Sequence, residues 1–260
     1  MQDQYKTLRA MAELFLDSQG FRKSMANKAR SLTVDPAVVA MALQGYQEIE
    51  EQLSKDMVKE LRRVAPKPIL QWIKESPGIG EALVAKLLGI TGDPYIAHPA
   101  HWEGTGKGNR HLVEGEPFVR NVDKLWAYCG IGDPARKRRT VKDAEDKQAA
   151  AFALVSWKAK TTLYMMTVRI LQNRRHYEGS HYLQVYDAAR AEYDSRVHAE
   201  QCPQCEGSGK GNGEPGKPWK AAHQHAAAQR KLAKEILRDL WEAAREAHQA
   251  EHQDQAAAAA

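Results

Sequence analysis

Aromatic residues are scarce in this chain, at 7%, and cysteine occurs only three times in 260 residues. Three thiols cannot form an even disulfide framework, and no secretory leader is expected before them, so a reduced, cytoplasmic setting is expected. No apolar run reaches the length needed to cross a bilayer, which argues against a membrane partner. β-branched alternation is also rare, so strands are expected to be few. Ala, Leu, Glu, Lys, Arg and Gln dominate instead, and these favour helix. The expected fold is therefore all-α. The formal net charge of +5 tilts toward polyanionic partners without identifying one.

The stretch Ser76-Pro77-Gly78-Ile79-Gly80 is the most informative in the chain. Ile69, Leu70, Trp72 and Ile73 give an apolar helix face before it. Pro77 stops that helix, because it lacks an N–H and restricts the residue before it. Gly78 and Gly80 admit backbone angles closed to other residues. A second helix restarts at Glu81 and ends near Gly92. The pattern reads as a helix–hairpin–helix. Its Gly78, Ile79 and Gly80 would present backbone N–H groups at a helix N-terminus, where a phosphate oxygen is favoured. Such a turn contacts a duplex backbone without reading bases. A plain helical hairpin that binds nothing is the alternative.

In chain order, residues 4 to about 30 form a helix or helix pair, which Gly20 is positioned to break. Asp35 and Pro36 are the N-cap and first position of a long helix to about Val64. Val39, Ala42, Tyr46, Ile49, Leu53, Met57 and Leu61 recur at coiled-coil-like spacing. That seam suits packing inside the monomer or a homodimer through residues 36–64. Residues 93 to 116 read as a loop; Gly104, Gly106 and Gly108 have the wrong spacing for a Walker loop. A short helix follows between Phe118 and Gly130, with Cys129 as inert core. Arg136-Lys137-Arg138-Arg139 is the densest basic run and a candidate backbone contact for DNA or RNA. Long helices are expected over 144–173, 182–200 and 220–250. Residues 251–260 read as a disordered tail.

Cys202-Pro203-Gln204-Cys205-Glu206-Gly207 has the shape of a zinc knuckle. Tetrahedral Zn2+ needs two further ligands. The preferred set is Cys202, Cys205, His223 and His225, with His198 as a nearer alternative. The metal would be structural, pinning a Gly/Pro-rich loop over 207–218. A reduced Cys pair in a loop is the competing reading.

The order of parts resembles the C-terminal half of the DEDD-type, RNA-guided insertion-sequence transposases. The match runs over about Pro36–Arg245 and is carried by the Pro-Gly-Ile-Gly hairpin and by Leu125-Trp126-Ala127-Tyr128-Cys129-Gly130. In that family a RuvC-like nuclease domain precedes the coiled coil; here about 35 residues do, too few for that fold. The family's nucleophilic serine is missing, since Ile131 to Val155 contains no serine and Thr140 is its sole hydroxyl. The resemblance thus implies a mobile-element or phage DNA-binding protein that has lost strand-cleavage chemistry, with Lys86 and the 136–139 run adding charge to the hairpin. Two alternatives stay open. One is an active transposase subunit using Thr140 or Ser156. The other is a helical assembly protein that touches no nucleic acid. The division expected is 1–66 coiled coil, 67–180 helix–hairpin–helix domain, 181–250 helical hairpin with the knuckle, then the tail.

Overall fold

The computed structural model describes residues 4–31, 35–98, 100–103, 111–132, 156–198 and 216–259. Its architecture is mostly helical, as the composition implies. The chain opens with two long helices, α1 (Lys6–Ser31) and α2 (Pro36–Val64), that run antiparallel. Asp35 caps α2 as expected, its carboxylate accepting from the Ala37 N–H at 2.8 Å, with Pro36 at the first position. Helix α1 continues through Gly20 without a break, because its partner α2 supplies packing along its length. Arg22 holds Glu50 through two hydrogen bonds, at 2.7 and 2.9 Å, and Phe21 lies 5.3 Å from Tyr46 between ring centroids.

Only the lower half of this pair is anchored. Leu8 and Ala12 of α1, with Met57 and Leu61 of α2, are buried in the core beside α4 (Glu81–Thr91). Gly89 permits the close crossing of α1 over α4: a Cβ there would stand 2.7 Å from both the Leu8 carbonyl oxygen and the Ala12 Cβ. The upper half leaves Phe21, Met25, Val38, Met41 and Ile49 exposed, and Leu14 is exposed lower down on α1. So the coiled-coil seam is partly consumed within the monomer.

Helix α3 (Lys67–Glu75) precedes α4. Residues 93–116, expected to be loop, include strands. β1 (Ile96–Ala97) pairs antiparallel with β4 (Phe118–Val119), and β2 (Ala100–Glu103) with β3 (His111–Glu114). These segments are too short for an alternating pattern to stand out in sequence. Helix α5 (Val122–Tyr128) follows, then α6 (Trp157–Gln172), a 3-10 turn (Arg174–His176), α7 (His181–Asp194) and α8 (Ala221–Ala259). Helix α8 extends through the run expected to be a tail, which is alanine-rich and thus a strong helix former.

Helix α8 ties the rest together, packing on α3, α5, α6 and α7. Leu232, Ile236, Leu237 and Leu240 are fully buried, each worth about 1.5–3 kcal/mol relative to exposure. Three tryptophans fix its position through hydrogen bonds that satisfy their indole N–H groups. Trp126 donates to the Lys234 carbonyl at 3.0 Å and Trp241 to the Arg120 carbonyl at 2.7 Å. Trp72 donates to the Tyr182 hydroxyl at 3.0 Å, which itself donates to Asp239 at 2.9 Å. Near the other end, buried His248 meets Asp93 at 2.8 Å. Asp93 also accepts from the Tyr95 and Ile96 N–H groups, so it organises the turn after α4. Cys129 is fully buried, and burial pushes its thiol up to about 12, as suits an inert core residue. Among the described residues, no helix is long and apolar enough to cross a membrane.

Candidate nucleic-acid interface

The hairpin is built as its residues dictate. Pro77 leaves Ser76 extended, at φ −105° and ψ 92°, which ends α3. Gly78 takes φ +93°, the region that favours glycine, and reverses the chain. Ile79 turns inward and is buried, while its N–H donates to the Ser76 carbonyl at 3.0 Å. Gly80 caps α4. The first N–H groups of any helix lack intrahelical acceptors and carry the positive end of its dipole, so they suit an anion. Here the first residue of α4, Glu81, is tied by Arg62 through two hydrogen bonds, at 2.7 and 2.6 Å, which hold its carboxyl below its usual range.

The hairpin rests on α6. A Cβ on Gly78 would lie 2.8 Å from Ile170 Cγ1 and 3.2 Å from the Tyr177 ring. A Cβ on Gly80 would lie 3.5 Å from a guanidinium nitrogen of Arg169. Arg169 is exposed and stands at the mouth of the turn. Arg175 is also exposed, whereas Arg174 is paired with Asp187. Sequence reading did not single out Arg169 or Arg175. A usable signal existed: Trp157 to Tyr177 carries five Lys or Arg residues (Lys158, Lys160, Arg169, Arg174, Arg175) and no acid.

Lys86 sits elsewhere. Its ammonium lies 4.7 Å from the centre of the Phe15 ring on α1, and burial and nearby Lys23 lower its pKa. The structure therefore puts Arg169 beside Gly80, spends the Ile79 N–H on Ser76 against expectation, and does not bring Lys86 to the turn. Arg136, Lys137, Arg138 and Arg139 lie outside the described residues, as does Thr140. Ser156 is the N-cap of α6 and not an interior helix residue; its hydroxyl accepts from the Ala159 N–H at 3.2 Å.

Cys202 and Cys205 also lie outside the described residues, but the residues on either side, up to His198 and from Gly216, are in place. Val197 bridges Pro218, the His198 N–H donates to the Lys217 carbonyl at 2.9 Å, and the Gly216 N–H donates to the His198 carbonyl at 2.8 Å. At this root stand two imidazoles. His198 is buried, and its ring centroid is 5.3 Å from that of His223, in the first turn of α8. Trp219 stacks flat on His223 at 4.0 Å and 3°. His223 Nδ1 is buried without a hydrogen-bond partner among the described residues, and burial followed by His198 lowers its pKa, favouring the neutral ring that metals bind. His225 points away, its Nδ1 2.7 Å from the Tyr186 hydroxyl.

A separate cluster joins His181, Glu235 and Asp239, whose ligand atoms lie within 4.8 Å of one another. Its groups already serve each other: Glu235 pairs with His181 and Arg238, and Asp239 with Tyr182. It acts as a clamp between α7 and α8, and reaches α3 through Tyr182 and Trp72.

No family model, curated protein or solved structure matches the chain.

Proposed function

We propose that this chain is a non-catalytic, largely sequence-independent DNA-binding protein, related to insertion-sequence transposases and carried by a mobile element or phage. RNA is the alternative polyanion, and the setting is cytoplasmic. The observation that supports this reading best is the hairpin. A positive-φ glycine and a glycine N-cap open a helix start, with an exposed arginine, Arg169, at its mouth. Arg175 extends the same charge. The basic run at 136–139 belongs to the proposal from sequence alone.

Binding is expected to weaken steeply with salt, by about 0.9 in the log–log slope for each phosphate contacted. Arg169→Ala should reduce that slope by about 1 and weaken all duplex sequences alike. Fluorescence anisotropy across a salt series measures both. A salt-independent affinity would sink the proposal.

Zn2+ is part of the same reading. The facing His198 and His223 at the root of the Cys202–Cys205 loop favour it, since tetrahedral zinc takes N and S ligands from such pairs. The ligand set proposed is Cys202, Cys205, His198 and His223; His225 is engaged by Tyr186.

A homodimer through residues 36–64 is proposed as well. Because Met57 and Leu61 are spent in the core, it would use the distal half of α2, where Val38, Met41 and Ile49 are exposed, as are Phe21 and Met25 of α1. Large apolar side chains left exposed on a long helix are candidates for such an interface. Met41→Glu is expected to convert a dimer to a monomer in sedimentation velocity with unchanged helicity. A wild-type chain that sediments as a monomer at micromolar concentration overturns this part.

A further inference from the structure

Arg120 stands just after β4 and just before α5, and both of its backbone groups are engaged. Its N–H donates to the Tyr95 carbonyl at 2.7 Å, and its carbonyl accepts from Trp241 on α8 at 2.7 Å. The residue is held in the core, at 8% exposure. A guanidinium stays charged at any physiological pH. Taking that charge out of water is costly unless an opposite charge meets it. Among the described residues Arg120 makes no ion pair, and its Nη1 is buried without a hydrogen-bond partner. Asp93 bears on it electrostatically. That carboxylate, however, is engaged by His248 and by the Tyr95 and Ile96 N–H groups. The guanidinium carbon lies 5.6 Å from the centre of the Tyr128 ring. A ring quadrupole offsets only a small part of a buried charge.

A buried donor without an acceptor calls for one. A water would satisfy the N–H group and leave the charge uncompensated, so the acceptor that fits is an anion. The planar guanidinium presents its N–H groups in a fixed fork, which matches two oxygens of one carboxylate or phosphate.

We propose that Arg120, over the Tyr128 ring, seats a small oxyanion, phosphate or carboxylate, at the junction of β4, α5 and α8. The site is separate from the nucleic-acid reading above. Tyr128 donates to the Ile90 carbonyl, near the C-terminal end of α4, whereas the hairpin forms the other end of that helix.

The test melts the full chain in chloride, in inorganic phosphate and in acetate at equal ionic strength, followed by circular dichroism. Arg120→Met is the decisive variant. Methionine keeps both backbone hydrogen bonds and an apolar stem, so the fold is retained. In chloride Arg120→Met should melt at or above wild type, because it removes an uncompensated buried charge. In phosphate or acetate, at about a hundred times the dissociation constant, wild type should gain about 5–10 °C and the gain should saturate. Arg120→Met should show no such gain, so the order of the two proteins reverses with the anion. Arg120→Lys keeps the charge but loses the fork, and should respond more weakly. Gly80→Ala should keep the full response, which separates this site from phosphate bound at the hairpin. Three results overturn the proposal. One is Arg120→Met melting below wild type by the same margin in every buffer, which would place the partner of Arg120 within the chain. The second is a wild-type chain with no saturable response to either anion. The third is a response that survives Arg120→Met. None of the three bears on duplex binding.

Discussion

Gly78→Ala is expected to lower the melting temperature by roughly 5–15 °C, read by circular dichroism at 222 nm. Two costs add. At φ +93° an alanine enters a region that disfavours side chains, for about 1–2 kcal/mol. Its Cβ would also meet Ile170 Cγ1 at 2.8 Å, with the Tyr177 ring at 3.2 Å behind it. Ile170 is fully buried, so it has nowhere to yield, and overpacking of this kind costs about 1–3 kcal/mol. Gly80→Ala is the matched control. Gly80 has φ −98°, which any residue adopts, and its new Cβ would touch only the flexible end of Arg169 at 3.5 Å. That variant should stay within about 1 kcal/mol of wild type, yet weaken duplex binding by crowding the phosphate approach. A Gly78→Ala chain that melts like wild type would show that the hairpin is not wedged against α6. A Gly80→Ala chain with full DNA affinity would remove the helix start from the binding surface.

Removal of the metal is the second large effect expected. If Cys202, Cys205, His198 and His223 hold Zn2+, metal analysis of the purified chain should find one equivalent. Cys205→Ser, His198→Ala and His223→Ala should each abolish it, while His225→Ala should keep it and lose only the bond to Tyr186. The energy at stake is large, since structural zinc in small peptides contributes about 10–16 kcal/mol. Here it should act locally. The loop root already has its own bridge at Val197 and Pro218, and the hairpin and α4 pack elsewhere, against α1, α2 and α6. Chelation is therefore expected to open cleavage between residues 199 and 215 to trypsin, which has a site at Lys210, while the Gly78 hairpin and α4 stay folded. A zinc content near zero in the wild-type chain, unaltered by Cys205→Ser, ends the metal proposal. Zinc lost in His225→Ala and kept in His198→Ala would return the ligand set to the one read from sequence.

Local chemistry is legible in the sequence wherever neighbours along the chain settle it. Asp35-Pro36 starts α2, Pro77 ends α3, and the glycines shape the hairpin, because caps and turns involve residues only a few positions apart. Helical periodicity likewise finds Met57 and Leu61 of the α2 seam in the core, but it misplaces Ile49, which is exposed. The short strands are illegible, since two- and four-residue pairings depend on partners up to 23 positions away, as for Ile96 and Val119. The length of α1 is illegible at Gly20, where propensity alone favours a break but the packing of α2 carries the helix through.

The composition, with abundant helix formers, few β-branched runs and three thiols, by itself determined a mostly helical chain with no apolar run of membrane-spanning length, and the Pro-Gly-Ile-Gly pattern located the hairpin. Which side chains surround that hairpin was decided only in three dimensions. Lys86 follows Gly80 within the same helix, yet its side chain leaves toward Phe15 because α1 crosses α4 at Gly89. Arg169 is 89 positions from Gly80 and arrives because α6 packs its apolar face beneath the turn. His198 meets His223, and not His225, because the Val197–Pro218 bridge brings the two stretches together and the helical turn sends His225 to Tyr186. Charge and ligand geometry are long-range properties of the packed chain. A sequence records the groups, and the crossing of its helices selects which of them meet.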